Sequence, residues 1–151
     1  MELLFERQFA APPAVMWPYL TDPARMCEWS EVPLCTVTLG AGQRPDAAGA
    51  VRALRARRFG ITLHIEEAVV EARPPERFVY RVVRGAGFRH HEGVLSLRAL
   101  PGGGTRLVWR VGMQSVVPGW DRLVGALVNR GMNRSLDALE RIARAAAARA
   151  A

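Results

Sequence analysis

The sequence contains no lysine and only two cysteines, Cys27 and Cys35. Its cationic charge is carried by 21 arginines against 14 acidic residues, for a formal net charge of +7. Arginine bias without lysine is what a GC-rich genome produces, so it does not by itself name a partner. The arginines are scattered, with only short runs such as Arg55, Arg57 and Arg58. No RNP-like aromatic motif, zinc-finger spacing or recognition-helix signature accompanies them, so nucleic-acid binding is not expected. The charge alone predicts weak, salt-sensitive attraction to polyanions.

Two cysteines are too few for a disulfide framework or a zinc site, which fits a reduced, cytoplasmic setting. Cys35 falls in a strand-like run and reads as a buried, inert thiol. There is no run of ~20 apolar residues, so stable membrane insertion is not expected. The opening MELLFERQFAAPP carries Glu2, Glu6 and Arg7 and lacks the apolar h-region of a signal peptide. The chain also lacks GxSxG, a P-loop, GxGxxG and a cysteine with a plausible histidine partner. The run His90–His91–Glu92 resembles a metal cluster, but successive strand residues point to opposite faces. Neither a metal nor an organic cofactor is expected.

What is present suits one domain over residues 1–151, with half the residues hydrophobic and 23% charged. Residues 2–10 alternate and read as a first strand. Pro13 fits the first turn of one short helix. Asp22 followed by Pro23 caps a second, carrying Met26 and Cys27 and ending near Trp29. Residues 32–39 form a second strand, and 40–49 a loop. Strands follow over 50–56, 60–72, 77–84, 89–99 and 105–113, each bounded by a turn signal. Those turns are Phe59–Gly60, Pro74–Pro75, Gly85–Ala86–Gly87 and Pro101 to Gly104, short enough for an antiparallel meander. From about Trp120, Leu123, Leu127, Met132, Leu136, Leu139 and Ile142 recur at helical spacing, with fraying expected after Arg144. The expectation is an α+β fold in which a curved antiparallel sheet wraps a long C-terminal helix, with two short helices after strand 1. Such a sheet and helix enclose a natural ligand cavity.

Turn positions predict cross-strand neighbours. A turn at Phe59–Gly60 sets Leu54 opposite Ile65 and Arg52 opposite Glu67. A turn at Arg73–Pro74 sets Glu67 opposite Tyr80 and Ile65 opposite Val82. The later turns set Gly93 opposite Tyr80, His91 opposite Val82 and Met113, and Trp109 opposite Leu95. Leu54, Ile61, Leu63, Ile65, Val69, Phe78, Tyr80, Val82, Leu95, Leu97, Leu107, Trp109, Val111 and Met113 then share one face. A one-residue slip would expose the whole set.

Three polar side chains break that apolar face: Arg52, Glu67 and His91, with the Tyr80 hydroxyl beside them. A lone buried carboxylate is costly, and a guanidinium directly across the ladder satisfies it. The pair reads either as a structural ion pair or as part of a cavity lining. His91 reads either as a cavity-facing acid or base or as a satisfied histidine near a strand end. Gly93 leaves room in the inner face, for a bend or for something close. Leu54, Trp29, Tyr80, Trp109 and Met113 complete the expected ligand lining, alongside Arg52, Glu67, His91 and Gly93.

Several stretches together resemble the SRPBCC superfamily of START-like, helix-grip proteins, in its bacterial polyketide cyclase/dehydrase branch. They are FAAPPAVMWPYLTDPARMCEW, GAVRALRA, EAVVEARPPERFVYRVV, GGGTRLVWRV and VNRGMNRSLDALERIA. They span essentially the whole chain in the family order. The resemblance implies a seven-stranded antiparallel sheet gripping the last helix, and a cavity for a lipophilic or aromatic small molecule. Members range from aromatase/cyclases to lipid carriers without chemistry. The family's arginine and glutamate correspond to Arg52 and Glu67, and His91 stands where relatives carry an aromatic residue.

Three functions follow. The first is a carrier, monomeric or homodimeric, of a hydrophobic small molecule. The second is a polyketide cyclase or dehydrase needing a base, an acid and a held carbonyl, with His91, Tyr80 and Arg52 in those roles. The third is a regulatory module that meets another protein.

Overall fold

The computed structural model describes residues 1–30, 34–39, 44–58, 61–85 and 87–150, with the side chains of 34–39, 56–58, Ile61, Leu63 and Ala150 left aside. The expected turn at Phe59–Gly60, the turn centre at Ala86, part of the 40–49 loop and the Cys35 thiol lie outside what is described.

The chain order is β1 (Glu2–Phe9), α1 (Pro13–Thr21), α2 (Pro23–Met26), β2 (Leu34–Leu39), β3 (Val51–Arg58), β4 (Ile61–Arg73), β5 (Arg77–Arg84), β6 (Phe88–Ala99), β7 (Thr105–Ser115) and α3 (Trp120–Ala150). The strands form one seven-stranded antiparallel sheet in the order β1-β7-β6-β5-β4-β3-β2. From β3 to β7 each strand pairs with its successor, as short turns dictate. β1 closes onto β7, so β1 and β2 become the two edges. This is the helix-grip architecture, with α3 held against the inner face.

Alternation decides which face is inner. Along β7, Thr105, Leu107, Trp109, Val111, Met113 and Ser115 are buried, while Arg106, Arg110 and Gln114 are exposed. Leu95 and Leu97 of β6 and Phe78 and Tyr80 of β5 continue that buried face, while Arg81, Arg84 and Arg98 are exposed on the other. Fully burying a side chain of this size contributes roughly 1.5–3 kcal/mol each, which fixes the choice of face. Among the strands, α3 lies closest to β1 and β7. Leu136, Leu139 and Ala143 from its second half are fully buried in the common core with Phe5, Phe9 and Leu107. Arg7 ties the same half to β1, donating to Asn133 Oδ1 at 2.6 Å and lying 3.6 Å from Asp137.

Local signals account for the short elements. Pro13 opens α1, whose N–H groups there need no partner. Asp22 caps α2, its Oδ1 accepting from the Ala24 N–H at 2.9 Å. α2 stops at Met26, with Cys27 as its C-cap, so Cys27 to Trp29 form turns rather than the helical end expected there. Gly85 ends β5 at φ +89°, where a Cβ would lie 2.0 Å from the His64 carbonyl oxygen, so only glycine fits. α3 runs without a break to Ala150, through the stretch after Arg144 where fraying is expected. Alanine is the strongest helix former, which favours helix in that stretch.

One register differs from expectation. β4 and β5 pair Glu67 with Val82 and Val69 with Tyr80, two residues away from the predicted Glu67–Tyr80 pairing. The turn is three residues, 74–76, closed by Glu76 N–H to Arg73 O at 2.7 Å, with a bulge between Val69 and Glu71. His91 faces Met113 as expected, but no ladder partner links it to Val82.

Candidate functional site

The β3–β4 ladder sets Arg52 directly opposite Glu67. Arg52 is 2% exposed and makes two charge-assisted bonds. Its Nη2 donates to Glu67 Oε2 at 2.6 Å, and its Nη1 donates to the Thr21 carbonyl at 2.7 Å. Thr21 is the last residue of α1, where carbonyls lack intrahelical partners and carry the negative end of the helix dipole. One guanidinium thus joins β3, β4 and α1. Its carbon also lies 5.3 Å from the Phe78 ring centroid and 5.8 Å from that of Tyr80, within cation–π range. Its Nε–H is buried and has no hydrogen-bond partner among the described residues. Burial raises the Glu67 pKa above the ordinary carboxylate value, and the Arg52 charge and hydrogen bond offset part of that rise.

Tyr80 lies next to this pair. Its ring covers Gly93 across the β5–β6 ladder, and a Cβ on Gly93 would sit 2.2 Å from the ring carbons. The room that Gly93 leaves is therefore filled by Tyr80, not kept open for a ligand. Burial, and then the nearby Glu67 charge, push the Tyr80 hydroxyl far above its usual pKa, so the phenol stays protonated. Trp109 stands edge-on to it at 6.4 Å between centroids. The Trp109 indole N–H is buried near the phenol oxygen but without full hydrogen-bond geometry.

His91 faces Met113 across β6–β7. Its ring packs between Tyr80 at 6.1 Å and Phe88 at 5.3 Å. Nδ1 is buried and unpartnered. Burial lowers the His91 pKa, so the imidazole is neutral near pH 7. His64 and His90 are exposed, and Glu92 bonds Arg81 at 2.6 Å on the outer side. The histidine–histidine–glutamate run is split across two faces.

The structure thus brings Arg52, Glu67, Tyr80, His91, Gly93, Trp109 and Met113 onto one face of the sheet, Glu67 and His91 half-buried and the others buried, with Leu54 beside Arg52 on β3. Trp29 is committed elsewhere: its indole N–H donates to the Tyr19 carbonyl at 2.9 Å and locks the helical segment together. Two participants went unseen in the sequence. The Thr21 carbonyl carries no side-chain signature. Trp17, whose N–H donates to Asp46 at 3.1 Å and whose ring meets Phe78 edge-on, sits in a run whose helical face is too short to read. The groove on the outer face among Arg77, Arg98, Arg106 and Arg110, of about 450 Å³, does not touch this cluster.

Chemically, the surface is an apolar wall with a small polar island. The island offers guanidinium N–H groups, one indole N–H, a protonated phenol and a neutral imidazole nitrogen. Such convergent polar groups in an apolar setting fix the orientation of a small molecule.

A family model described as polyketide cyclase/dehydrase and lipid transport matches residues 5–144. No curated protein matches the sequence at a significant level. Among solved structures, a START superfamily protein from Mycobacterium smegmatis superposes with a TM-score of 0.77 at 15% identity, covering 95% of this chain and 97% of its own. The Zhui aromatase/cyclase from a Streptomyces species gives 0.76 at 18% identity, covering 95% and 93%. A protein from Thermus thermophilus gives 0.75 at 20% identity, covering 97% and 99%. At these identities the likeness is one of fold.

Proposed function

The chain belongs to the polyketide cyclase/dehydrase and lipid transport family, in the START-like helix-grip superfamily, and from that premise we propose that it is a single-domain carrier of a hydrophobic or aromatic small molecule. The ligand lies between the inner face of β3–β7 and the first half of α3. One observation carries the reading: Arg52 Nε, Trp109 Nε1 and His91 Nδ1 are all buried on the same apolar surface, and among the described residues none has a partner at full hydrogen-bond geometry. Buried polar atoms are nearly always satisfied, and a bound molecule with oxygen acceptors and a donor hydroxyl would satisfy these three. Arg52 contacts it through its buried Nε–H, while Nη1 and Nη2 each give one hydrogen to Thr21 and Glu67.

Native mass spectrometry of freshly purified protein, followed by denaturing extraction, tests this. We expect a co-purifying aromatic or acyl compound. An apo mass, together with no uptake of lipophilic fluorescent probes, would overturn the carrier reading.

A second reading, a cyclase or dehydrase, is favoured by the protonation states. Neutral His91 and protonated Tyr80 are the forms a base and an acid need. In an enolisation His91 would take the α-proton while Tyr80 hydrogen-bonds or protonates the carbonyl oxygen.

A further inference from the structure

The loop after β7 and the first two turns of α3 leave apolar surface uncovered. Val116, Val117, Trp120, Leu123 and Leu127 are exposed, from 47% at Trp120 to 61% at Val117. Trp120, Leu123 and Leu127 are spaced i, i+3, i+7 and lie on one side of the helix. The Val116 N–H donates to the Gly87 carbonyl at 3.0 Å, which joins this loop to the β5–β6 turn. Val83, two residues before Gly85 on β5, is also exposed. β5 and β7 run in the same direction, so both connections sit at one end of the sheet.

Arginines rim that end. Arg84, Arg89, Arg122 and Arg130 are exposed, Arg84 lying 3.6 Å from Glu66. Asp121, the acidic residue of the first helical turn, lies 3.9 Å from the amino terminus. An exposed tryptophan and leucines inside a ring of arginines match an interfacial lipid contact, with rings and aliphatic chains at the headgroup boundary and guanidinium groups on phosphates. No helix among the described residues is long and apolar enough to cross a membrane, so the contact is peripheral. A two-fold contact with a second copy through this patch would oppose Arg122 and Arg130 to other arginines, whereas an anionic surface neutralises them.

We propose that this end of the molecule docks on an anionic membrane surface through Trp120, Leu123 and Leu127, with Arg84, Arg89, Arg122 and Arg130 engaging the lipid phosphates. The docking stands whatever ligand the interior holds.

Co-sedimentation of the intact protein with phosphatidylcholine vesicles, with and without phosphatidylglycerol, tests it. The expected result is partitioning onto the anionic vesicles about tenfold above the neutral ones at low salt, weakening as salt rises. Leu123→Glu with Leu127→Glu abolishes it; both sites are exposed, and an unchanged thermal midpoint verifies folding. Trp17, Trp29 and Trp109 are buried, so Trp120 supplies the fluorescence blue shift on binding, and Trp120→Phe removes that shift. Three results would overturn the proposal. They are no partitioning onto anionic vesicles, partitioning unchanged by the double glutamate variant, and self-association lost in that variant without vesicle binding, which would give the face to a second copy.

Discussion

Arg52 reaches Glu67 at 2.6 Å and, with its other terminal nitrogen, the carbonyl that ends α1 at 2.7 Å. The guanidinium is thus both the counterion of a strand carboxylate and the cap of a helix. Either bond alone leaves buried polarity unmet, and together they fix α1 on the sheet.

Removing the carboxylate strands a buried charge. Glu67→Leu is expected to destabilise the fold by about 3 kcal/mol, in the range for breaking a buried pair. Glu67→Gln keeps an acceptor for Nη2 and should cost clearly less. Urea denaturation of the two variants checks the order. The pH dependence has a definite sign. The folded pKa of Glu67 is raised, so its contribution is fully present below the unfolded value and is lost as pH rises through the folded one. Glu67→Gln should flatten that decline.

Gly93 and Tyr80 form a second coupled pair. Gly93→Ala places a methyl inside the Tyr80 ring position, and the ring must move. Overpacking of this kind costs about 1–3 kcal/mol. Tyr80→Ala in the Gly93→Ala background should therefore cost less than in the natural chain, and a double-mutant cycle measures the difference.

These two pairs show what could be read in advance. The Arg52–Glu67 pairing was legible because the β3–β4 ladder keeps one register along its whole length, so an approximate turn position gave the partners. The β4–β5 ladder was misplaced because the turn holds three residues and the strand bulges after Val69. The longer turn moves the register by three and the bulge takes back one. The net shift of two preserves parity, which is why the inner face was right for Val69, Phe78 and Tyr80 while the partner of Glu67 was wrong. Gly93 reads as room for a bend or for something close, and a glycine in sequence does not say which neighbour fills its place; here it is the Tyr80 ring. The third member of the Arg52 cluster is a backbone carbonyl, and no residue type marks it.

His91 makes the interior sensitive to acid. Its folded pKa lies below the unfolded value of about 6.5, so the unfolded chain binds the proton more readily. Stability is therefore lost as pH falls through that unfolded value. His91→Phe keeps a ring against Tyr80 and Phe88 and cannot titrate. The difference in thermal midpoint between pH 7.5 and pH 5.5, chosen as about one unit either side of 6.5, should shrink in this variant.

The same residue separates carriage from catalysis. In a carrier, His91 Nδ1 is one of several polar contacts in an apolar site, so His91→Ala should leave ligand affinity within about tenfold, or 1.4 kcal/mol. In an acid–base enzyme the imidazole moves a proton in the rate-limiting step. The same change would then remove about 10²–10⁴ of the rate with binding largely intact. Titrating the extracted compound back into the variant, and following its conversion in parallel, reads both quantities on one sample. The expected outcome is the carrier's. Burial raises the Tyr80 pKa, which makes the phenol a poorer proton donor, and lowers that of His91, which makes the imidazole a weaker base.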